Sequence, residues 1–141
     1  MKKATLIILF LVALSGFYTK SQAQVIKVGG GMELRSEPPI ALITKATYRL
    51  DFLHENLRSS IDLMVLPDFE ANLDFHYSFL SDFGINVYAI GGLNFASNLG
   101  GNVGAGIMVN LSERLDAFGE VKYIIKSSPE ASIKLGILYN L

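Results

Sequence analysis

No cysteine occurs anywhere in the 141 residues, so neither a disulfide framework nor a lipid-bearing cysteine is available. The apolar run Leu6 to Leu14 falls short of the ~20 residues that a helix needs to cross a bilayer. Helical periodicity is nearly missing from the rest of the chain, which disfavours an α-helical fold. Basic residues form no run and are outnumbered by acidic ones, so the clustered positive charge that nucleic acid requires is lacking. Histidine occurs only as His54 and His76, with no ligand spacing around either, and this argues against a metal centre. The glycines Gly29 to Gly31 lie inside an extended stretch and open no helix, so they are not a phosphate-binding loop. Composition and motif therefore suggest no cofactor.

What is present begins with a leader. Lys2 and Lys3, the apolar run from Leu6, and the small-x-small exit Ser21-Gln22-Ala23 predict a signal peptide over residues 1–23, cleaved to leave Gln24 first. The remainder, 24–141, contains no Pro/Ser-rich linker and reads as one domain. Of twelve basic and thirteen acidic residues, Lys2, Lys3 and Lys20 leave with the leader, so the mature chain is acidic.

Through that domain the hydrophobic period is two. Eight extended segments are expected: Val25–Arg35, Ile40–Phe52, Leu57–Leu66, Glu70–Asp82, Gly84–Phe95, Leu99–Leu111, Arg114–Lys126 and Glu130–Leu141. Short turn-forming joints such as "SEPP", "PD", "ASN" and "KSSP" connect them. An even number of up-and-down strands joined this tightly closes into a barrel without a free edge. Most segments also reach the ~9–11 residues of a tilted membrane-crossing strand, against ~5–6 in soluble proteins.

Sorting the strands by face separates the chemistry. One face, illustrated by Val103, Ala105, Ile107, Val109 and Leu111, carries no charge. The other holds Lys27, Arg35, Lys45, Arg49, Arg58, Arg114, Lys122, Lys126 and Lys134. It holds acids in equal number: Glu33, Asp51, Asp62, Glu70, Asp74, Asp82, Asp116, Glu120 and Glu130. Glycines share this charged face, as a narrow lumen needing room for long neighbours would require. Tyr48, Phe52, Phe79 and Tyr139 fall toward one end of the strands, with Phe69, Phe95 and Tyr123 toward the other, where interfacial aromatic girdles would lie. The expected fold is all-β, an eight-stranded antiparallel transmembrane barrel, with a soluble periplasmic β-barrel as the alternative. Arg114, Asp116, Glu120 and Lys122, alternating on one strand, are the expected centre of a lumen charge network, with Arg49 and Asp74 as partners. An arginine at Leu135 on the apolar face is expected to harm assembly more than loss of the Lys134 cation.

The leader, the eight alternating segments and the closing "SIKLGILYNL" resemble the small eight-stranded outer-membrane β-barrels of Gram-negative bacteria, of the OmpX-like and OmpA-transmembrane-domain type. In that family the last strand is an assembly signal that usually ends in an aromatic; Ile133, Leu135, Ile137 and Tyr139 follow its alternation, and Leu141 stands last. The resemblance implies a monomer in the outer membrane, with outer-membrane lipids and the barrel assembly machinery as partners. A structural or envelope-maintenance role is the first reading, and a small-solute porin the second. A further alternative comes from His76-Tyr77-Ser78, which is similar to the His-x-Ser pair of outer-membrane lipid A deacylases. Phe79 stands where that family continues with Asn, and the face assignment turns His76 and Ser78 into the lumen, so no enzymatic activity is expected.

Overall fold

The computed structural model describes residues 26–141, so the expected signal peptide and its cleavage site lie outside the described residues. Eight antiparallel strands follow one another: β1 (Lys27–Leu34), β2 (Ile40–Arg49), β3 (Leu57–Leu66), β4 (Glu70–Asp82), β5 (Ile85–Phe95), β6 (Leu99–Ser112), β7 (Leu115–Ile125) and β8 (Glu130–Asn140). Each pairs with its neighbour in sequence, and β1 pairs with β8, closing the barrel. No strand edge is left open.

The register sets the shape. Starting at Lys27, the line of partners runs through Thr47, Ser60, Asp74, Gly92, Asn102 and Ile124 to Glu130. On its other side Lys27 meets Asn140, so the sheet closes with a stagger of ten residues, the separation of Glu130 from Asn140 along β8. With ordinary strand spacings, that stagger over eight strands tilts them by about 40° and gives a barrel on the order of 16 Å across its backbone. Such an interior is filled by side chains rather than left as a tube.

The two-residue period becomes two surfaces. Ile40, Leu42, Phe75, Tyr77, Val103, Ile107, Val121, Ile133, Leu135 and Ile137 are exposed on the outside, whereas Lys45, Asp62, Asp74, Glu120, Lys122 and Lys134 are buried inside. This is the inverse of a water-soluble protein, and it suits a wall bathed in hydrocarbon, where backbone groups must be satisfied within the sheet. Phe69 and Phe95 stand at the end opposite the chain terminus, and Phe52, Phe79 and Tyr139 toward the terminus.

The structure departs from strict alternation at three irregularities. Leu42 pairs with Leu66 and Ile43 with Met64, leaving Val65 extra; Phe79 and Leu111 are extra in the same way. A bulged residue shifts the phase of its strand, so Val65 and Leu66, and likewise Phe79 and Leu80, are exposed side by side. Leu50, which strict alternation after Tyr48 would place outside, is buried instead, because β2 ends at Arg49 and Leu50 begins a turn in which its amide donates to the Leu57 carbonyl.

Candidate functional site: the charged lumen

Inward-facing side chains form successive layers along the barrel axis. The central layer is ionic and buried. Asp62, on β3, is its hub: Lys45 lies 2.9 Å from Oδ1, while Lys134 at 2.7 Å and Lys122 at 3.2 Å share Oδ2. Lys122 also pairs with Asp74, and Lys45 reaches Glu120 Oε1 at 2.8 Å. The Ser60 hydroxyl donates to Asp62, and the Tyr88 hydroxyl donates to Glu120 at 2.9 Å. Three lysines thus balance three carboxylates in a space that water barely reaches. Charges removed from water in this way are stable only while each keeps its partners.

Strand β6 gives the network room instead of charge. Tyr88 and Gly106 are direct register partners, and a Cβ on Gly106 would stand 2.5 Å from the tyrosine ring. Phe118 lies over Gly136 in the same manner, at 2.7 Å from where a Cβ would be. Lys45 Nζ rests above the Phe118 ring at 5.2 Å from its centroid, and His76 stacks on Tyr88 at 4.6 Å. Tyr88, Met108, Phe118 and Leu138, all buried, make an apolar layer between the ionic centre and the terminus-side mouth.

Toward the opposite end lies an amide layer, in which Asn94 donates to Asn72 at 2.9 Å and Asn102 to the same oxygen at 3.3 Å. Beyond it Arg35 spans the lumen: its guanidinium contacts Glu33 at 2.7 Å, Glu70 at 3.0 Å and Glu130 at 3.2 Å. Lys126 adds a second cation to Glu130 at 2.6 Å.

Of the six residues expected to form the centre, the barrel brings together Asp74, Glu120 and Lys122. Asp116 is buried but belongs to the terminus-side layer, paired with Lys27 at 2.5 Å. Arg49 pairs with Asp51 at 3.0 Å, with its side chain 35% exposed, and does not reach Asp74. Arg114 is a correction. It precedes β7 in the turn after β6 and is exposed, so its guanidinium donates outward to the Tyr139 hydroxyl at 3.2 Å. That bond holds its pKa above the ordinary guanidinium value. Asp82 is likewise exposed at a turn. The expected centre omitted Lys45, Asp62 and Lys134, whose signal is cross-strand: Lys45 faces Asp62, and Glu120 faces Lys134, as direct register partners.

His76 and Ser78 both point inward, as expected. Ser78 donates to Asn86 at 3.0 Å, and among the described residues no hydrogen bond joins it to His76, whose Nε2 stands 3.9 Å from Glu120. No group of three or more metal-ligating side chains occurs among the described residues.

Solved structures similar to this chain include small transmembrane barrels. The N-terminal β-barrel domain of Pseudomonas aeruginosa OprF matches with a TM-score of 0.64 at 16% identity, covering 84% of this chain and 98% of that one. A de novo designed transmembrane barrel, TMB2.3, matches at 0.66 and 16%, covering 87% and 98%. Neisserial surface protein A matches at 0.59 and 14%, covering 83% and 96%. At such identities the likeness is one of fold, that of the small eight-stranded outer-membrane barrels. No family model matches the sequence, and no curated protein matches it.

Proposed function

We propose that the chain is an integral outer-membrane β-barrel of a Gram-negative envelope whose lumen is closed, and that its role is structural or envelope-maintaining rather than conductive or enzymatic. The observation that carries this reading is the buried network on Asp62, in which Lys45, Lys122 and Lys134 meet inside the barrel with the apolar layer beside it. An apolar exterior with an ionic interior supports residence in a membrane. The joints at the proline-bearing end, 35–39, 67–69, 96–98 and 126–129, are short and offer little surface for adhesion. Export through a leader cleaved before Gln24, delivery by the barrel assembly machinery through β8, and a monomer among outer-membrane lipids complete the proposal.

The test is conductance. Purified, folded protein in planar bilayers is expected to give no steady channels. Steady ohmic steps from the wild type would favour the small-solute porin. Fractionation checks the location: the protein should float with outer membranes, and its mass should begin at Gln24.

A further inference from the structure

The terminus-side mouth holds cations that the closed-barrel reading does not use. Arg49 on β2 and Arg58 on β3 are direct register partners, and both point into the lumen. Like charges placed directly opposite each other on neighbouring strands repel. Arg49 is engaged through Nε with Asp51, and Lys27 through Nζ with Asp116. Arg58, half-buried, has no carboxylate partner among the described residues. Its Nη1 donates only to the thioether of Met108, at 3.6 Å. Lys27 Nζ, from the other side of the mouth, stands 3.5 Å from the same sulfur. A guanidinium and an ammonium thus converge on one weak acceptor, on the floor that the apolar layer makes, with Arg49 beside them. A guanidinium carries five donors in a planar fork suited to two oxygens of one anion, and a sulfur satisfies almost none of that capacity.

We propose that this mouth is a seat for one small oxyanion, a phosphate or a carboxylate, held by the fork of Arg58 with Arg49 and Lys27 completing its charge. Asp51 and Asp116 each neutralise one cation, so the unmatched charge is that of a single arginine, which suits one anionic group and not a polyanion. Because Arg49 and Asp51 are about one-third exposed, the seat is open to solvent at its rim. The apolar layer of Tyr88, Met108, Phe118 and Leu138 separates it from the ionic centre, so occupancy would not disturb Asp62.

The experiment is an NMR titration of the folded barrel in a zwitterionic detergent, following the arginine side-chain Nε–H resonances as sodium phosphate or sodium acetate replaces sodium chloride at constant ionic strength. The expected result is a saturable shift of the Arg58 and Arg49 resonances, with Arg114 unmoved. Saturation by phosphate alone assigns a phosphate, and saturation by acetate alone assigns a carboxylate. Arg58→Gln should raise the half-saturation concentration at least tenfold. Arg58→Lys should raise it less, and Arg114→Gln should leave it as in the wild type. Shifts that never saturate, or an Arg58→Gln barrel that titrates like the wild type, would overturn the seat and leave an adventitious ion only. Neither result bears on conductance, so this proposal can fail while the closed-barrel reading stands.

Discussion

Asp62 accepts three lysines, and no other carboxylate in the lumen carries as many. Asp62→Asn would leave Lys45, Lys122 and Lys134 with too little negative charge in a buried space, and breaking such a pairing costs about 3–5 kcal/mol. Urea unfolding followed by the gel shift between folded and heat-denatured forms should show that loss, whereas Arg114→Ala should leave the midpoint in place. Gly106→Ala tests space instead of charge. The added methyl must push the Tyr88 ring off its place and off Glu120, so a loss of about 1–3 kcal/mol is expected from overpacking and the broken hydrogen bond. The contrast expected between Leu135 and Lys134 also changes. Arginine at an outward midplane site costs about 2–4 kcal/mol, but Lys134 is buried against Asp62 at 2.7 Å, so Lys134→Ala should be comparably harmful instead of mild.

At the scale of elements, the β4–β5 hairpin contains the one non-glycine residue with positive φ among those described, Phe83 at 48°, followed by Gly84 at 76°. Two such residues between the partners Asp82 and Ile85 make the tight turn that matches strand twist, a turn that favours Asn-Gly. A phenylalanine in that conformation is strained, and the residue is 94% exposed, so packing within the barrel does not compensate. Phe83→Asn should therefore stabilise the folded barrel by about 1 kcal/mol in the urea assay. Gly84→Ala should destabilise it. How much of the barrel could be read in advance follows from what each element encodes locally. β3 and β4 were legible in their bounds, Leu57–Leu66 and Glu70–Asp82, because turn residues lie on either side of each alternating run. The phase slips at Val65, Phe79 and Leu111 were not legible, since a bulge is set by the pairing of two strands. For the same reason the charged face was legible but its wiring was not. Alternation along β7 groups Arg114 with Asp116, Glu120 and Lys122, yet partnership runs across strands, to Asp62 and Lys45, and Arg114 falls beyond the strand end.

For the whole molecule the lumen has two kinds of closure in series, and this decides how it can be opened. The ionic centre resists ions because a permeating charge must displace partners already satisfied. The layer of Tyr88, Met108, Phe118 and Leu138 resists them differently, since it offers a passing ion no compensating group. Breaking only one closure should leave the other standing. Asp62→Asn and Glu120→Lys are therefore expected to lower stability while remaining silent in planar bilayers. Phe118→Ala alone should be silent too, and the cavity it creates should cost about 3–5 kcal/mol. Combining Phe118→Ala with Met108→Ala and Asp62→Asn removes the apolar floor beneath a weakened network, and this variant should conduct if it folds. Folding is checked on the same sample by its gel shift. Conduction by Glu120→Lys alone would mean that the apolar layer does not seal. Silence of the folded triple variant would mean that the Arg35 cluster alone closes the barrel, and adding Arg35→Ala should then open it.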